Sequence, residues 1–201
     1  MNLTKRAHQF INDHFADKAI NIAVDATCGN GHDSLFLAKR ATHLFCFDIQ
    51  PAAIQNTQAL LESESQSTPL NCVTTFIQDS HSNLCSHLRK NSDEHADQFA
   101  RKIDIAMFNL GFLPKSADLK ITTEASSTAT AIQQAMQCLA TNGLISILCY
   151  RGHPGSVAEF KAVQKVINSL DQTAWRCQQF DSIRPNESTP ILLLLTHNKI
   201  A

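Results

Sequence analysis

The stretch Val24-Asp25-Ala26-Thr27-Cys28-Gly29-Asn30-Gly31-His32-Asp33 joins an apolar run to an amphipathic segment through a turn that contains two glycines. Gly29 and Gly31 can adopt backbone conformations that other residues avoid. Because they lack a Cβ atom, they also let a ligand lie against the main chain. A strand, a glycine turn and a helix in this order predict a nucleotide-type site at the end of a first β-strand.

Short apolar runs alternate with amphipathic stretches along the chain, which favours βαβ units around a mostly parallel sheet. Seven runs indicate strands at residues 22–26, 44–47, 72–77, 103–109, 144–150, 175–180 and 191–196. Helical periodicity predicts helices at residues 3–15, 33–40, 52–61, 81–88, 126–140 and 157–170. We therefore predict one α/β domain over residues 1–201, a Rossmann-like, doubly wound sheet of seven strands that an N-terminal helix precedes.

Turn residues and polar stretches mark the predicted connections. Pro51 suits the first turn of the third helix, and Gly143 suits the turn from the fifth helix into the next strand. Residues 62–68 are predicted to form a short polar loop. Residues 90–101 are polar and lack a helix or strand period, so we expect a surface excursion there.

The composition is that of a globular protein, with 43% hydrophobic and 17% charged residues. A formal net charge of -1 gives no overall attraction to nucleic acid, so any RNA contact requires a local basic patch. No run of 18 apolar residues and no apolar signal core occur, and we expect a cytoplasmic protein without a membrane segment. The seven cysteines include no C-x-x-C pair, so we expect reduced thiols and no metal.

Acidic side chains follow the first two predicted strands. We expect Asp25, at the end of the first strand, to face the positively charged end of a ligand. Asp48, at the end of the second strand, can accept hydrogen bonds from both ribose hydroxyls of an adenosine, with Gln50 as a further ribose or adenine contact. The alternative for Asp48 is an exposed helix N-cap before Pro51.

Polar residues also follow the third predicted strand, in the segment Gln78-Asp79-Ser80-His81. In this topology an adenine lies there, and any of Asp79, Ser80 and His81 can hydrogen-bond its edge. Each of them can instead cap the helix that begins at residue 81. A dinucleotide-binding enzyme would carry a third glycine at position 34, where this chain has Ser34, and this weakens a hydride-transfer function.

The fourth predicted strand runs into Asn109-Leu110-Gly111-Phe112-Leu113-Pro114. Asn109 is a candidate catalytic residue, because an amide can accept hydrogen bonds from an amine and aim its lone pair at a reaction partner. Phe112 is a candidate substrate contact, because its ring can pack on a base.

The polar segment at residues 115–123 is predicted to form a loop over the site, and the alternative is a solvated connection. Asp118 in this loop is a further candidate catalytic residue, and His153 after the fifth strand is a candidate base. A basic rim for RNA phosphates is a hypothesis that rests on Lys115, Lys120, Arg151 and Arg184.

Together, the segments 25–33, 47–50, 80–81, 109–114, 121–123 and 150–153 resemble the tRNA 5-aminomethyl-2-thiouridine methyltransferase family, once described as rRNA methylases. The resemblance covers nearly the whole chain and implies the class I methyltransferase fold, mostly parallel with an antiparallel last strand. It implies methyl transfer from S-adenosylmethionine to the aminomethyl nitrogen of the wobble uridine, in the anticodon region of tRNA. The implied cofactor contacts are Asn30, His32, Asp48, Gln50, Ser80 and His81.

Other functions stay open on the sequence alone. A class I methyltransferase acting on rRNA or on a small amine would carry the same motifs, and so would a protein that binds S-adenosylmethionine without catalysis. A nicotinamide-dependent oxidoreductase is disfavoured by Ser34. A homodimer is compatible with the sequence, which does not determine the oligomeric state.

Overall fold

The computed structural model describes residues 2–90, 102–111 and 122–197. The elements follow in the order α1 (Leu3–His14), β1 (Ile20–Asp25), α2 (His32–Ala38), β2 (Ala41–Asp48), α3 (Pro51–Ser67), β3 (Val73–Gln78), a 3-10 turn (His81–Asn83), α4 (Leu84–Lys90), β4 (Ile103–Leu110), α5 (Ala125–Cys138), β5 (Leu139–Cys149), α6 (Ser156–Asn168), β6 (Trp175–Asp181) and β7 (Ile191–His197).

The seven strands form one sheet in the order β3-β2-β1-β4-β5-β7-β6. The pairs among β1 to β5 are parallel, whereas β7 is antiparallel to both β5 and β6. This arrangement confirms the predicted α/β fold with an antiparallel last strand. Strand order reverses between β1 and β4, and in such sheets a ligand binds beyond the carboxyl ends of the strands at that point.

Both faces of the sheet are covered, as the continuous apolar runs of its central strands require. In β2, Phe45 and Phe47 join one buried cluster, while Leu44 and Cys46 join the cluster on the opposite face. This alternation follows from the two-residue period of a strand. The sheet is therefore held between two apolar layers, and polar side chains at its carboxyl edge are left to form a site.

The N-terminal helix packs one apolar stripe onto the sheet. Leu3, Ala7 and Ile11 are buried at a spacing of four residues, which places them on one face of α1. Asn2 caps the helix, because its side-chain oxygen accepts a hydrogen bond of 2.8 Å from the backbone N–H of Lys5. The cap and the stripe fix the start of α1 beside the carboxyl edge of the sheet.

The prediction of a polar loop at residues 62–68 is wrong, because α3 continues to Ser67. Leu61 is buried, and Glu64 forms an ion pair of 2.5 Å with Lys39 of the α2 end, so this turn has a packed and a charged side. The helix ends before Pro69, since a proline disfavours helical geometry in the residue that precedes it. Pro51 does begin α3, as predicted.

The fifth strand begins earlier than residue 144. Helix α5 ends at Cys138 and β5 starts at Leu139, so the predicted helix to residue 140 is two residues too long. The pairing of β4 with β5 shifts register between Ile103 and Ile105, and Asn142 there has a positive φ of 64°. The turn expected before the strand is instead an irregularity inside it, stabilised by His14, whose Nε2 donates to the Asn142 carbonyl at 2.8 Å.

The remaining predicted boundaries agree with the structure to within three residues at each end, except that residues 81–83 form a 3-10 turn before α4. Residues 91–101 of the predicted surface excursion, residues 115–121 of the predicted active-site loop and residues 112–114 before it lie outside the described residues. Within the described ranges, none of the helices combines the length and apolar character that a membrane crossing requires.

Candidate active site

A cavity of about 620 Å³ opens at the carboxyl ends of β1, β2, β3 and β4, where the strand order reverses. The structure brings most of the predicted site residues together there. Those that line the cavity are Gly29, Asn30, His32, Asp48, Gln50, Asp79, Ser80, His81 and Asn109. The lining also includes residues for which the sequence indicated no role, namely Thr4, Asp33, Glu124, Ser127 and Tyr150.

The glycine turn forms one wall of this cavity. Gly29 and Gly31 have φ values of 54° and 81°, the left-handed region in which glycine is favoured. Gly31 does not line the cavity. A Cβ atom on it would lie 2.9 Å from the backbone of Thr57 in α3, so the position also requires glycine for packing. The turn is further fixed by Cys28, whose backbone N–H donates to the Phe47 carbonyl at 2.9 Å.

Asp48 ends β2 and faces the glycine turn. Its Oδ2 accepts from the backbone N–H of Gly29 at 3.1 Å, and its Oδ1 accepts from that of Gln50 at 2.9 Å. Burial raises the pKa of the Asp48 carboxyl above its ordinary value, although these donors oppose the shift. Each oxygen keeps a further lone pair, so this carboxylate can still accept hydrogen bonds from the hydroxyls of a ligand.

Asp25 does not face the cavity, which corrects the expectation from sequence. Its side chain is fully buried and accepts hydrogen bonds from the Ser34 hydroxyl at 2.6 Å and from the Thr27 N–H at 3.2 Å. Ser34 thus covers this carboxyl, at the position where a dinucleotide-binding enzyme carries its third glycine. Burial, and then the charge of Asp33, raise the pKa of Asp25 to about 7.

Asp33 lines the cavity beside the glycine turn, and the sequence analysis did not identify it as a site residue. It lies in the first turn of α2, is almost completely buried, and lines the cavity. Its Oδ1 lies 2.5 Å from His8 Nε2, and its Oδ2 accepts a hydrogen bond of 2.5 Å from Asn109 Nδ2. These partners stand 25 and 76 residues away in the chain, so no local pattern connected them. The signal available was only an acidic residue directly after the glycine turn.

The residues after β3 act as caps and also line the cavity. Ser80 is the N-cap of the 3-10 turn, and its hydroxyl accepts from the Ser82 N–H at 3.2 Å. Asp79 lies 2.8 Å from His87 Nε2, and this hydrogen bond lowers the pKa of the Asp79 carboxyl. The structure therefore shows Ser80 as a cap that also lines the cavity, and the ligand contact stays a prediction.

His81 differs from its neighbours because it is buried. Its Nδ1 donates to the Ala26 carbonyl at 3.2 Å, and burial lowers the pKa of its imidazole, so the ring is neutral. A neutral ring that donates through Nδ1 has an acceptor lone pair on Nε2. That Nε2 is buried and has no hydrogen-bond partner among the residues that the structure describes. The cavity wall thus offers one unsatisfied acceptor, which suits a ligand N–H group.

Asn109 marks the other end of the cavity, at the carboxyl end of β4. Its backbone N–H donates to the Thr27 hydroxyl at 2.7 Å, which ties β4 to the glycine turn. Beyond it, Gly111 and Thr123 are paired: the Gly111 N–H donates to the Thr123 hydroxyl, and the Thr123 N–H donates to the Gly111 carbonyl, each at 2.9 Å. The predicted substrate and catalytic residues between these two positions, Phe112, Lys115, Asp118 and Lys120, lie outside the described residues.

Arg151 and His153, the candidates predicted after β5, do not line the cavity. Arg151 donates from Nε to the Thr189 carbonyl at 2.8 Å and from a terminal nitrogen to the Asn186 carbonyl at 2.7 Å. Its guanidinium therefore fixes the β6–β7 connection, and a phosphate contact through its remaining donors stays a prediction. His153 lies behind Gly111, with its Nδ1 bonded to the Pro154 carbonyl at 2.9 Å. Neither side chain reaches the cavity in this arrangement.

The electrostatic character of the cavity is acidic. Its walls carry the carboxylates of Asp33, Asp48, Asp79 and Glu124, and Asp25 lies beneath them. Among the described residues that line it, none is a lysine or an arginine. In a cavity that is only partly open to water, such a charge distribution attracts cations and repels phosphates.

Known proteins share the fold. A solved structure described as a putative rRNA-methylase from Clostridium thermocellum has a TM-score of 0.80 and 30% identity, with 98% of each chain covered. A putative methyltransferase from Streptococcus mutans, solved in complex with S-adenosylhomocysteine, has a TM-score of 0.78 and 26% identity, again over 98% of each chain. The fold and the site define a methyltransferase of the Rossmann-like class.

The family follows from sequence. Residues 44–196 match the model of the family described as Putative rRNA methylase, and the chain belongs to that family. This confirms the resemblance that the motifs indicated. A curated relative, the chloroplastic tRNA (mnm(5)s(2)U34)-methyltransferase of Arabidopsis thaliana, is 33% identical over 86% of this chain. The match spans 61% of that relative's length.

Proposed function

We propose that the protein transfers a methyl group from S-adenosylmethionine to the aminomethyl nitrogen of 5-aminomethyl-2-thiouridine at the wobble position of tRNA. The product is 5-methylaminomethyl-2-thiouridine. The observation that carries this proposal is the acidic cavity at the sheet's switch point, whose described walls contain carboxylates and no lysine or arginine. Both the methyl donor, which is a sulfonium, and an aminomethyl group are cationic, so both suit such a cavity. The name of the Arabidopsis relative supports the choice of tRNA nucleoside.

The described residues fit S-adenosylmethionine. The turn around Gly29, with the implied cofactor contacts Asn30 and His32 beside it, would hold the amino-acid part of the cofactor. The remaining lone pairs of Asp48 suit the ribose hydroxyls, with Gln50 next to them. The unpartnered Nε2 of His81 suits the adenine amino group. The cofactor supplies an activated methyl group, and the residues after β4 supply the place for its acceptor.

Asn109 is the group we assign to the substrate amine. Because its Nδ2 donates to Asp33, its side-chain oxygen remains as an acceptor for an N–H of the amine. Once the ammonium form has lost a proton to water, the amine held in this way presents its lone pair in a fixed direction. The nitrogen then takes the methyl group as its bond to the sulfonium sulfur breaks and S-adenosylhomocysteine leaves, and direct displacement depends chiefly on such alignment. Phe112, Lys115, Asp118 and Lys120 stay the sequence-based substrate or catalytic candidates for the anticodon region of tRNA.

The test is a methylation assay with nucleoside mass spectrometry. The purified protein is incubated with labelled S-adenosylmethionine and bulk tRNA from a strain that lacks the gene, with rRNA from the same strain in parallel. We expect 5-methylaminomethyl-2-thiouridine to appear as the aminomethyl nucleoside disappears. Methylation of rRNA alone would move the substrate to rRNA, and cofactor binding without any transfer would indicate a binding protein.

Matched variants make the assay specific to the site. Asn109→Ala removes the proposed amine contact, whereas Asn83→Ala removes an exposed amide that donates to Asp79 outside the cavity lining. We expect the first variant to lose activity and the second to keep it. Equal activity in both variants would argue against a reaction at the carboxyl end of β4.

A further inference from the structure

Asp33 lies at the end of the cavity formed by β1 and β4, and each of its two carboxylate oxygens has a hydrogen-bond partner. Its Oδ1 lies 2.5 Å from His8 Nε2 of α1, and its Oδ2 accepts from Asn109 Nδ2 at 2.5 Å. Each carboxylate oxygen has two lone pairs, so each can accept one more hydrogen bond after these two. A buried carboxylate that lines a cavity and has acceptor capacity left is suited to bind a group with several N–H donors.

We infer that Asp33 recognises the amino group of the substrate, as a specificity-determining residue, and that His8 is its positioning residue. The inference rests on the proposed function and adds the group that selects a primary amine. A protonated aminomethyl group carries three N–H donors and a positive charge, and it matches the free lone pairs of Asp33 and the oxygen of Asn109. A wobble uridine without the aminomethyl group lacks these three N–H donors and their positive charge.

The other carboxylates of the site are less suited to this role. Asp25 is enclosed by Ser34 and does not reach the cavity. Asp48 follows β2 and contacts the glycine turn. Its two oxygens already accept hydrogen bonds from two backbone N–H groups. Asp79 is bonded to His87, and Glu124 is exposed, where water screens its charge. Asp33 alone among them is buried, lines the cavity and contacts Asn109.

His8 is held in place from outside the cavity. Its ring stacks on Phe36 at a centroid distance of 3.7 Å and an interplanar angle of 5°. The guanidinium of Arg40 lies 3.8 Å from the centroid of the same ring, and two planar groups so close to one ring must occupy its opposite faces. Arg40 is fixed in turn by Asn12 of α1, whose side-chain oxygen accepts from its Nε at 2.8 Å. The N-terminal helix therefore sets the direction of the Asp33 carboxylate and is part of the substrate site.

The experiment measures discrimination in binding, with S-adenosylhomocysteine present so that no reaction occurs. Two anticodon stem-loops are titrated, identical except that one carries 5-aminomethyl-2-thiouridine and the other 2-thiouridine at the wobble position. A charge-assisted contact predicts that the wild-type protein binds the first about 10- to 100-fold more tightly. For Asp33→Asn we expect the ratio to fall close to one, with the affinity for S-adenosylhomocysteine kept within about threefold.

Controls separate recognition from folding and from the loss of a charge. Asp13→Asn removes an exposed carboxylate on α1 that accepts a hydrogen bond from Gln9, and it should keep the wild-type ratio. His8→Ala tests the positioning role without altering the cavity lining, and it should lower the ratio part of the way while the affinity for S-adenosylhomocysteine is kept. Because each ratio compares two RNAs on one protein, a general change in RNA affinity cancels.

The outcomes are distinct. A ratio in Asp33→Asn equal to that of the wild type would overturn the assignment, and so would a selective loss of S-adenosylhomocysteine binding, which would make Asp33 a cofactor residue. An unchanged ratio in His8→Ala would overturn the positioning role. If the wild type neither methylates nor prefers the aminomethyl stem-loop, the proposed function itself fails. If it methylates that nucleoside while Asp33→Asn keeps the ratio, only the present inference fails.

Discussion

The two ends of the cavity hold their carboxylates in opposite ways. At the β3 end, Asp79 is partly exposed and has internal donors: His87 at 2.8 Å, Asn83 at 3.0 Å and the Ser80 N–H at 2.7 Å, and its pKa is lowered. At the β1–β4 end, Asp25 is sealed and its pKa is raised to about 7, with Asp33 beside it. At the β3 end, donors within the protein stabilise the carboxylate. The β1–β4 end carries negative charge that a cationic ligand would neutralise.

The largest expected effect concerns Asp25. Its pKa is raised from 3.8 to about 7 on folding, so the folded state favours the protonated form, and stability falls as pH rises from about 4 through 7. Three pKa units correspond to an upper value of about 4 kcal/mol. Asp25→Asn cannot titrate. Its advantage in unfolding free energy over the wild type should grow between pH 5 and pH 8, as urea denaturation at several pH values will measure. Parallel pH dependences for the two proteins would contradict the sealed, raised carboxyl.

A somewhat smaller effect is expected for the reaction step. Asn109→Ala removes the amide that contacts Asp33 and faces the proposed amine, and we expect the single-turnover rate at saturating tRNA to fall about 100-fold, or about 3 kcal/mol. Affinity for S-adenosylhomocysteine should stay within about threefold. Asn83→Ala, the matched amide at the β3 end, should leave the rate unchanged. A rate loss in Asn83→Ala as large as in Asn109→Ala would remove the difference between the ends.

The third effect is on cofactor affinity. His81→Phe replaces the buried ring whose Nε2 is unpartnered, and it keeps an aromatic side chain beside Phe108. Loss of one neutral hydrogen bond is worth about 1 kcal/mol, so calorimetry should show S-adenosylhomocysteine binding about 5-fold more weakly. An unchanged dissociation constant would mean that the adenine amino group binds elsewhere in the cavity.

The smallest effect is expected at the β3 end of the cavity. His87→Gln removes the hydrogen-bonded partner of Asp79, but both side chains are partly exposed, at 23% and 37%. Exposed pairs of this kind contribute less than about 1 kcal/mol, and salt weakens them further. Because the pKa of Asp79 is lowered, this contribution is present above the ordinary carboxyl pKa and is lost as pH falls. A destabilisation of several kcal/mol in thermal or urea unfolding would show that the pair is structurally central.

Much of the fold was predictable because its signals are local. Apolar runs located the seven strands, and the glycine turn located the switch point of the sheet. The failures came where local signals are ambiguous. The polar residues 62–68 resemble a loop, yet Leu61 packs inward and Glu64 pairs with Lys39, so the helix extends through them. The register shift at Asn142 depends on β4 and on His14, neither of which is a neighbour in sequence.

The site was predictable in outline for a related reason. Side chains directly after parallel strands must gather at one edge of the sheet, so Asp48, Ser80, His81 and Asn109 were found from their positions alone. The direction of a side chain at that edge was not predictable. Asp25 turns beneath α2 and Arg151 turns toward the β6–β7 connection, because each finds hydrogen-bond partners there that are distant in the chain.

By itself, the sequence determined the alternation of strands and helices, the family, and the edge of the sheet at which a ligand binds, since these depend on residue order and periodicity. Only the tertiary structure decided which carboxylates reach the cavity. It buried Asp25 under Ser34, and it joined His8, Asp33 and Asn109 across 25 and 76 residues of chain. The physical reason is that hydrogen bonding and burial act between groups that packing brings together, and sequence separation does not measure that distance.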